Sequence, residues 1–388
     1  MPGGWNAVAT RDDAASVHPV EGGDRTSTPP PAGQHEAGRR RWRLPNWART
    51  LASGAVVFAI VWASRTLVDW SQVWAAVIDM TWLELATLAL AGAWNIATYL
   101  FVMMAAMPGL TYRDAFIVGQ SSTAVAATLP AGSALGIGMT YAMYSSLGHS
   151  AAEIGLATVL TGIWNNFVKL GLPVVALAIL AVMGQSTTAE LAAAATGVGT
   201  LVVAVTVFAL VLRSDRLAAT VGDRMQRVVA PLLRWFRRDP GGPWSDTFIS
   251  FRHRTIGLLR RRWHVLTIAT VVSHLSLYVV LLLALRHMDV SDAMVGWAQV
   301  LSVFALTRLV TALPVTPGGL GVVELALTAG LVVAGGPRAP VVAAVLIFRV
   351  LTLFVQVPIG LGCYVWWRAS RAGTTAAAGL AGTPGGAP

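Results

Sequence analysis

The feature that most constrains this chain is a break inside a long apolar stretch. LPVTPGGLGVVE, residues 313–324, carries Pro314, Pro317, Gly318, Gly319 and Gly321. Proline removes a backbone donor and clashes with the preceding turn, and glycine permits left-handed or closely approached backbone, so a continuous helix does not choose this string. In a bilayer such a break survives only where protein buries it or where it lines a wet cavity. The segment therefore reads as the tip of a helix–break–helix hairpin at membrane depth, and function is sought there first.

The bilayer itself follows from composition. Apolar residues make up 55% of the chain, charged residues 12%, and mean hydropathy is +0.64, whereas a soluble domain carries about a quarter charged residues. Several apolar runs reach the roughly 20 residues that cross a bilayer. These features predict an all-α polytopic integral membrane helical bundle. Cys363 is the single cysteine, which excludes an internal disulfide and a cysteine-cluster metal site. The net charge of +10 does not point to nucleic acid, because residues 213–262 concentrate twelve arginines against four aspartates. A basic loop between spans marks the cytoplasmic side and attracts anionic lipid headgroups. The expected partners are a membrane phospholipid or polyprenyl-linked lipid, with anionic headgroups at 213–262. No nucleic-acid partner is expected, and a homo-oligomer is compatible with the sequence.

Residues 1–46 are rich in Pro, Gly, Ser, Thr and charge and read as a disordered cytoplasmic tail. A retained anchor at 48–67 follows Arg39, Arg40, Arg41 and Arg43, too far from Met1 for a cleaved signal peptide. The N-terminal membrane half, 47–212, holds a span at 82–107, a hairpin at 113–147 broken by LPAGSALGIG (129–138), and spans at 153–183 and 189–212. The basic segment 213–262 reads as cytoplasmic interfacial helix and loop. The C-terminal half, 263–368, holds a span at 263–286, a hairpin at 293–335 and a final span at 339–367. Residues 369–388 read as a second disordered tail. Arginine-heavy, alanine-rich usage fits a high-GC bacterium. The expected placement is multi-pass in a bacterial plasma membrane with both termini cytoplasmic.

The two halves share one offset. Leu135-Gly136 corresponds to Leu320-Gly321, and Pro173 to Pro358, each pair 185 positions apart. The order of span, short arm, break, short arm and long span recurs as well. Three spans separate the hairpins, an odd number, so the copies are expected to run in opposite orientations whether each hairpin re-enters or crosses fully. Inverted repeats with broken helices are an architecture of transporters, with substrate near the midplane; duplication kept for packing alone is the bland alternative.

Few ionisable residues lie within the spans: Lys169, Arg308, Glu324 and Arg349, with His274 as a titratable addition. A charge at mid-bilayer costs roughly 2.5–3.5 kcal/mol on insertion scales, so each needs a partner or a function. Lys169 is the only lysine and lies one turn after Asn165, on the same face. Arg308 and Glu324 flank the break, and Thr352 and Gln356 share the stripe of Arg349. The expected substrate-binding set is Asn165, Lys169, Arg308, Thr316, Pro317, Gly318, Gly319, Gly321, Glu324 and Arg349. Free amides at the start of the 320–333 arm and its helix dipole favour a phosphate, and guanidinium forks suit one. Glu324 either meets a cationic group of the substrate or pairs with Arg308 or Arg349 and holds the hairpin arms together; the two readings are compatible. For His274 a hydrogen-bonded packing role is expected, and for Gly132, Gly136 and Gly138 close helix packing. There is no His/Cys metal spacing, phosphate-loop motif or G-x-S-x-G elbow, so neither metal, cofactor nor catalytic group is expected.

At LPVTPGGLGVVE, followed by a long span carrying FRVLT (348–352), the chain resembles the lysylphosphatidylglycerol synthase transmembrane-domain family, over roughly residues 48–368. The resemblance implies an all-helical membrane bundle. In the multiple peptide resistance factor proteins, this type of domain moves aminoacylated phosphatidylglycerol between leaflets. Carried over by motif, the implied functional positions are Pro317, Gly318, Gly319, Gly321, Glu324 and Arg349. Members that make the lipid carry a large soluble synthase domain after the membrane part, whereas this chain stops at Pro388, so lipid aminoacylation is not expected of it. The expected function is translocation of an anionic or zwitterionic phospholipid, or a lipid-linked headgroup, between leaflets. The alternatives are an integral-membrane transferase acting on a lipid-linked substrate and an accessory scaffold for envelope lipid synthesis. Replacing Arg349 or Glu324 by alanine is expected to abolish translocation and leave insertion intact.

Overall fold

Several helix starts are written in the sequence as caps. Thr81 and Glu84 form a capping box in which the Glu84 amide donates to the Thr81 hydroxyl and the Thr81 amide donates to the Glu84 carboxylate, at 2.8 Å in the latter case. Ser150 and Glu153 repeat it, and Thr111 caps the intervening helix by accepting from the Asp114 amide. Each cap satisfies amides that a helix start would otherwise leave bare. The computed structural model describes residues 78–129, 132–184, 188–235, 242–311 and 317–381. The 1–46 tail, the 48–67 anchor and Thr316 lie outside the described residues.

The protein is an all-α polytopic membrane protein, and among the described residues there is no strand. The helices are α1 (Trp82–Ala106), α2 (Tyr112–Thr128), α3 (Gly132–Ser146), α4 (Ala151–Val182), α5 (Thr188–Arg213), α6 (Asp215–Trp235), α7 (Trp244–His287), α8 (Trp297–Val310), α9 (Val322–Val333), α10 (Arg338–Arg349) and α11 (Gln356–Ala381). A 3-10 turn, Pro317–Gly319, precedes α9, and a π turn, Val350–Phe354, joins α10 to α11. Among the described residues five segments are long and apolar enough to cross a bilayer: Trp82–Ala106, Ala151–Val182, Ala194–Arg213, Trp244–His287 and Arg338–Arg371. Helices α8 and α9 are apolar but shorter.

Helix α1 lies along α7, α2 along α3 and α11, and α4 along α5, α7 and α8, while α9 packs on α8 and α10. In lipid the hydrophobic effect does not drive helices together, so close backbone approach and hydrogen bonds do. Gly360 of α11 shows this: a Cβ there would stand 2.1 Å from the Gln120 carbonyl oxygen of α2. Between α1 and α7, Asn95 donates to the Ser276 hydroxyl at 2.8 Å and Thr98 shares the same hydroxyl at 3.0 Å. Two large apolar cores stand out among the described residues. One joins α7 to α10 through Leu285, Phe304, Leu327 and Phe348, and the other joins α1 to α4 through Leu100, Val118, Met143 and Leu160.

Four local readings change. The first break is narrower than 129–138, because α3 resumes at Gly132 and runs through Gly136 and Gly138. The basic segment forms two helices, and the second runs unbroken into the next span, so the change at 262 is one of composition and not of backbone. Arg252 ties these parts together, donating to the Leu212 carbonyl at 2.9 Å and to Asp215 at 2.6 Å. The last span contains the π turn, where the Val355 amide reaches the Val350 carbonyl at 2.8 Å. Pro358 removes the donor that the Phe354 carbonyl would meet in a regular helix, which accounts for distortion at this level. The final helix extends to Ala381 rather than ending at 368, in keeping with an alanine-rich stretch of high helix propensity.

Candidate functional site

The Pro317–Gly319 turn reverses the chain through three left-handed residues, Gly318, Gly319 and Gly321, at φ of 60°, 69° and 78°. An L side chain pays a steric penalty in that region, which is why the string is glycine-rich. At Gly318 a Cβ would also stand 3.3 Å from the Ala127 carbonyl oxygen of α2 and from Leu353, so the tip of the second hairpin is seated against the end of the first hairpin's leading arm.

Arg349 holds this turn from below. Its Nε donates to Glu324 Oε1 at 2.6 Å and one Nη donates to the Gly318 carbonyl at 2.8 Å. The residue is only 7% exposed. A pair this short and this enclosed is one whose charges neutralise each other, and losing either partner strands the other. Immediately after Arg349 comes the π turn, a distortion common near functional sites. Within it, Thr352 donates to the Phe348 carbonyl at 2.7 Å, and Gln356 donates to the Thr352 carbonyl at 2.8 Å.

Three cavities of about 270, 290 and 290 Å³ adjoin here, all three touching Thr123 of α2. The walls of the first two come from both halves of the membrane region, and the third is lined by the N-terminal half. Asn95, Gln120, Asn165 and His274 line the first, and Lys169 and Gly319 line the second. Arg308, Gly318 and Arg349 line both. Val322 and Val323, in the first turn of α9, also line the second cavity, and Gly321 caps that helix without a side chain. The positive end of the helix dipole therefore stands at the cavity wall. No aspartate or glutamate among the described residues lines any of the three. Gln120 and His274 are each 2% exposed, and Gln120 Oε1, His274 Nε2 and Arg308 Nε have no hydrogen-bond partner among the described residues.

This glycine turn, with an intramembrane arginine following it, lies within the part of the chain that aligns with known proteins: the family described as Lysylphosphatidylglycerol synthase TM region matches residues 50–360. The chain belongs to this family. No curated protein matches it.

The match to the lysylphosphatidylglycerol synthase TM region spans every residue expected to bind substrate. Of these, the structure gathers Asn165, Lys169, Arg308, Gly318, Gly319 and Arg349 around the adjoining cavities. Pro317 opens the turn, Gly321 ends it, and Glu324 stands behind the wall on Arg349. Of the two partners considered for Glu324, Arg349 takes it and Arg308 does not. His274 Nδ1 donates to the Thr270 carbonyl at 3.0 Å, as a packed histidine would, and the residue also lines the first cavity. Sequence reasoning passed over Asn95, Gln120, Thr123 and Ser273, because it searched for charge. Uncharged amides inside apolar spans were the available signal, since they too are costly there without a partner.

Proposed function

We propose that this protein is a membrane lipid translocase, moving an anionic or zwitterionic phospholipid or lipid-linked headgroup between leaflets of a bacterial plasma membrane. One observation carries the reading: Lys169 and Arg308 line a cavity walled by both halves of the membrane region and have no carboxylate partner among the described residues. A headgroup phosphate crossing hydrocarbon loses its hydration, a large unfavourable term unless other donors replace it. Two cations without a carboxylate partner among the described residues, buried amides and a helix N-terminus supply such donors. The two hairpins, read as inverted copies, touch at Gly318 and Ala127. Rocking about that contact exposes the cavity to each leaflet in turn. The basic 213–262 segment binds anionic headgroups on the cytoplasmic side.

The test is a leaflet-sidedness assay in sealed proteoliposomes with labelled aminoacyl-phosphatidylglycerol, phosphatidylglycerol and a polyprenyl phosphate. Movement of one of them by wild-type protein, lost in Arg308→Gln with folding retained, is expected. Absence of movement for all three with folded protein overturns the proposal. Chemical conversion of a lipid in detergent would assign a transferase instead.

A further inference from the structure

The charges around the cavity do not balance, and the imbalance selects among ligands. Lys169, Arg308 and Arg349 contribute to its wall, and the one acid nearby among the described residues, Glu324, is already engaged by Arg349 at 2.6 Å. The second carboxylate oxygen of Glu324 is enclosed and has no partner among them, so it offers no surface to a ligand. With no aspartate or glutamate of the described residues on the walls, nothing there can receive an ammonium group by ion pairing. A headgroup bearing lysine would bring amines beside two unpaired cations, where like charges repel without water to screen them. Leu277, Phe304, Leu327 and Leu353 share the first cavity's wall with Arg308, and Leu353 also shares the second's with Lys169, an apolar surface suited to the adjoining part of a lipid.

We infer that Lys169 and Arg308 form the phosphate subsite for an amine-free anionic lipid, and that the aminoacylated, net cationic lipid is discriminated against. This rests on the lipid-translocase reading and narrows its substrate. A phosphomonoester headgroup, at about −1.5 to −2 charge near neutral pH, matches the two free cations better than a phosphodiester with a single charge.

Binding to the full chain in an uncharged detergent tests this by titration calorimetry. The probes are dioctanoyl phosphatidic acid, dioctanoyl phosphatidylglycerol, dioctanoyl lysyl-phosphatidylglycerol, dioctanoyl phosphatidylcholine and free glycerol phosphate. The expected order is phosphatidic acid tightest, phosphatidylglycerol next, and the two lipids bearing a cationic nitrogen weaker than phosphatidylglycerol by about tenfold or more. Lys169→Gln and Arg308→Gln each weaken the anionic lipids by about tenfold or more, and Lys169→Arg retains them. Lysyl-phosphatidylglycerol binding as tightly as phosphatidylglycerol overturns the inference, using wild-type protein alone. Unchanged anionic affinity in both Gln variants overturns the subsite assignment. Glycerol phosphate binding as tightly as the lipids overturns the lipid part and leaves a soluble phosphate site. Anion-selective binding without leaflet movement in proteoliposomes overturns translocation and sustains this inference; preferred movement of lysyl-phosphatidylglycerol does the reverse.

Discussion

The two hairpins reach the same place by different chemistry. In the first, α2 and α3 hold no charged residue from Ala115 to Ser146, and what joins them is small and neutral. Ser122 and Thr140 share a 2.7 Å hydrogen bond, and a Cβ on Gly136 would stand 3.0 Å from the Ser122 carbonyl oxygen. In the second, α8 and α9 carry Arg308 and Glu324, and the turn between them uses three left-handed glycines with Arg349 reaching in from α10. The first hairpin is a neutral wall and the second a charged one; the first two cavities lie against both, and the third against the first hairpin. The contrast also separates two arginines of the second hairpin's surroundings. Arg349 is paired and holds the fold, and Arg308 has no carboxylate partner among the described residues and is available to a ligand.

Breaking the charged latch is expected to have the largest effect. Arg349→Met leaves the half-buried Glu324 without its partner, a loss of up to about 3 kcal/mol, seen as a lower thermal unfolding midpoint in detergent. Arg349→Met combined with Glu324→Leu recovers most of that stability; a double variant no better than the single would show that the pair is not the latch. Next, the turn: Gly319→Ala forces a side chain into a left-handed residue and to 2.9 Å from Val323, at about 1–3 kcal/mol. Gly138→Ala in the first hairpin, where nothing lies within 4 Å of the added Cβ, is expected to be neutral or to stabilise α3 slightly. Equal losses at the two sites would erase the distinction between the hairpins.

Arg308→Met sharpens the comparison of the arginines. Removing a half-buried cation that has no carboxylate partner among the described residues is expected to leave stability unchanged or raise it by about 1 kcal/mol, while leaflet movement of the anionic lipid falls. A stability loss as large as that of Arg349→Met would make Arg308 structural too. The smallest effect is expected of Ser122→Ala, which removes one interhelical hydrogen bond at about 0.6 kcal/mol, with translocation retained.

Much of this protein is legible in its amino-acid order. Spans stand out as apolar runs, because a helix must hydrogen-bond its own backbone in lipid and needs about 20 apolar residues to cross. The second break is visible because proline and left-handed glycine leave a mark in composition, and the intramembrane charges are conspicuous because each is costly there. The first break reads too long at 129–138, since LGIG looks like a second interruption when its glycines in fact lie within α3 and Gly136 packs closely on α2. The π turn carries no local signature beyond Pro358, which lies one turn beyond it.

What the sequence by itself determined is the membrane class, the place of the break and the short roster of charges within apolar segments, all properties of a residue and its near neighbours. Only the tertiary structure decided which of them meet. Glu324 lies sixteen positions from Arg308 and twenty-five from Arg349, and it pairs with the farther one. Helical periodicity says which face a side chain occupies, not which helix stands opposite. That choice is made when α9 and α10 pack and bring Glu324 and Arg349 to hydrogen-bonding distance. Arg308 is left facing a cavity with Lys169 and the amides of the other half.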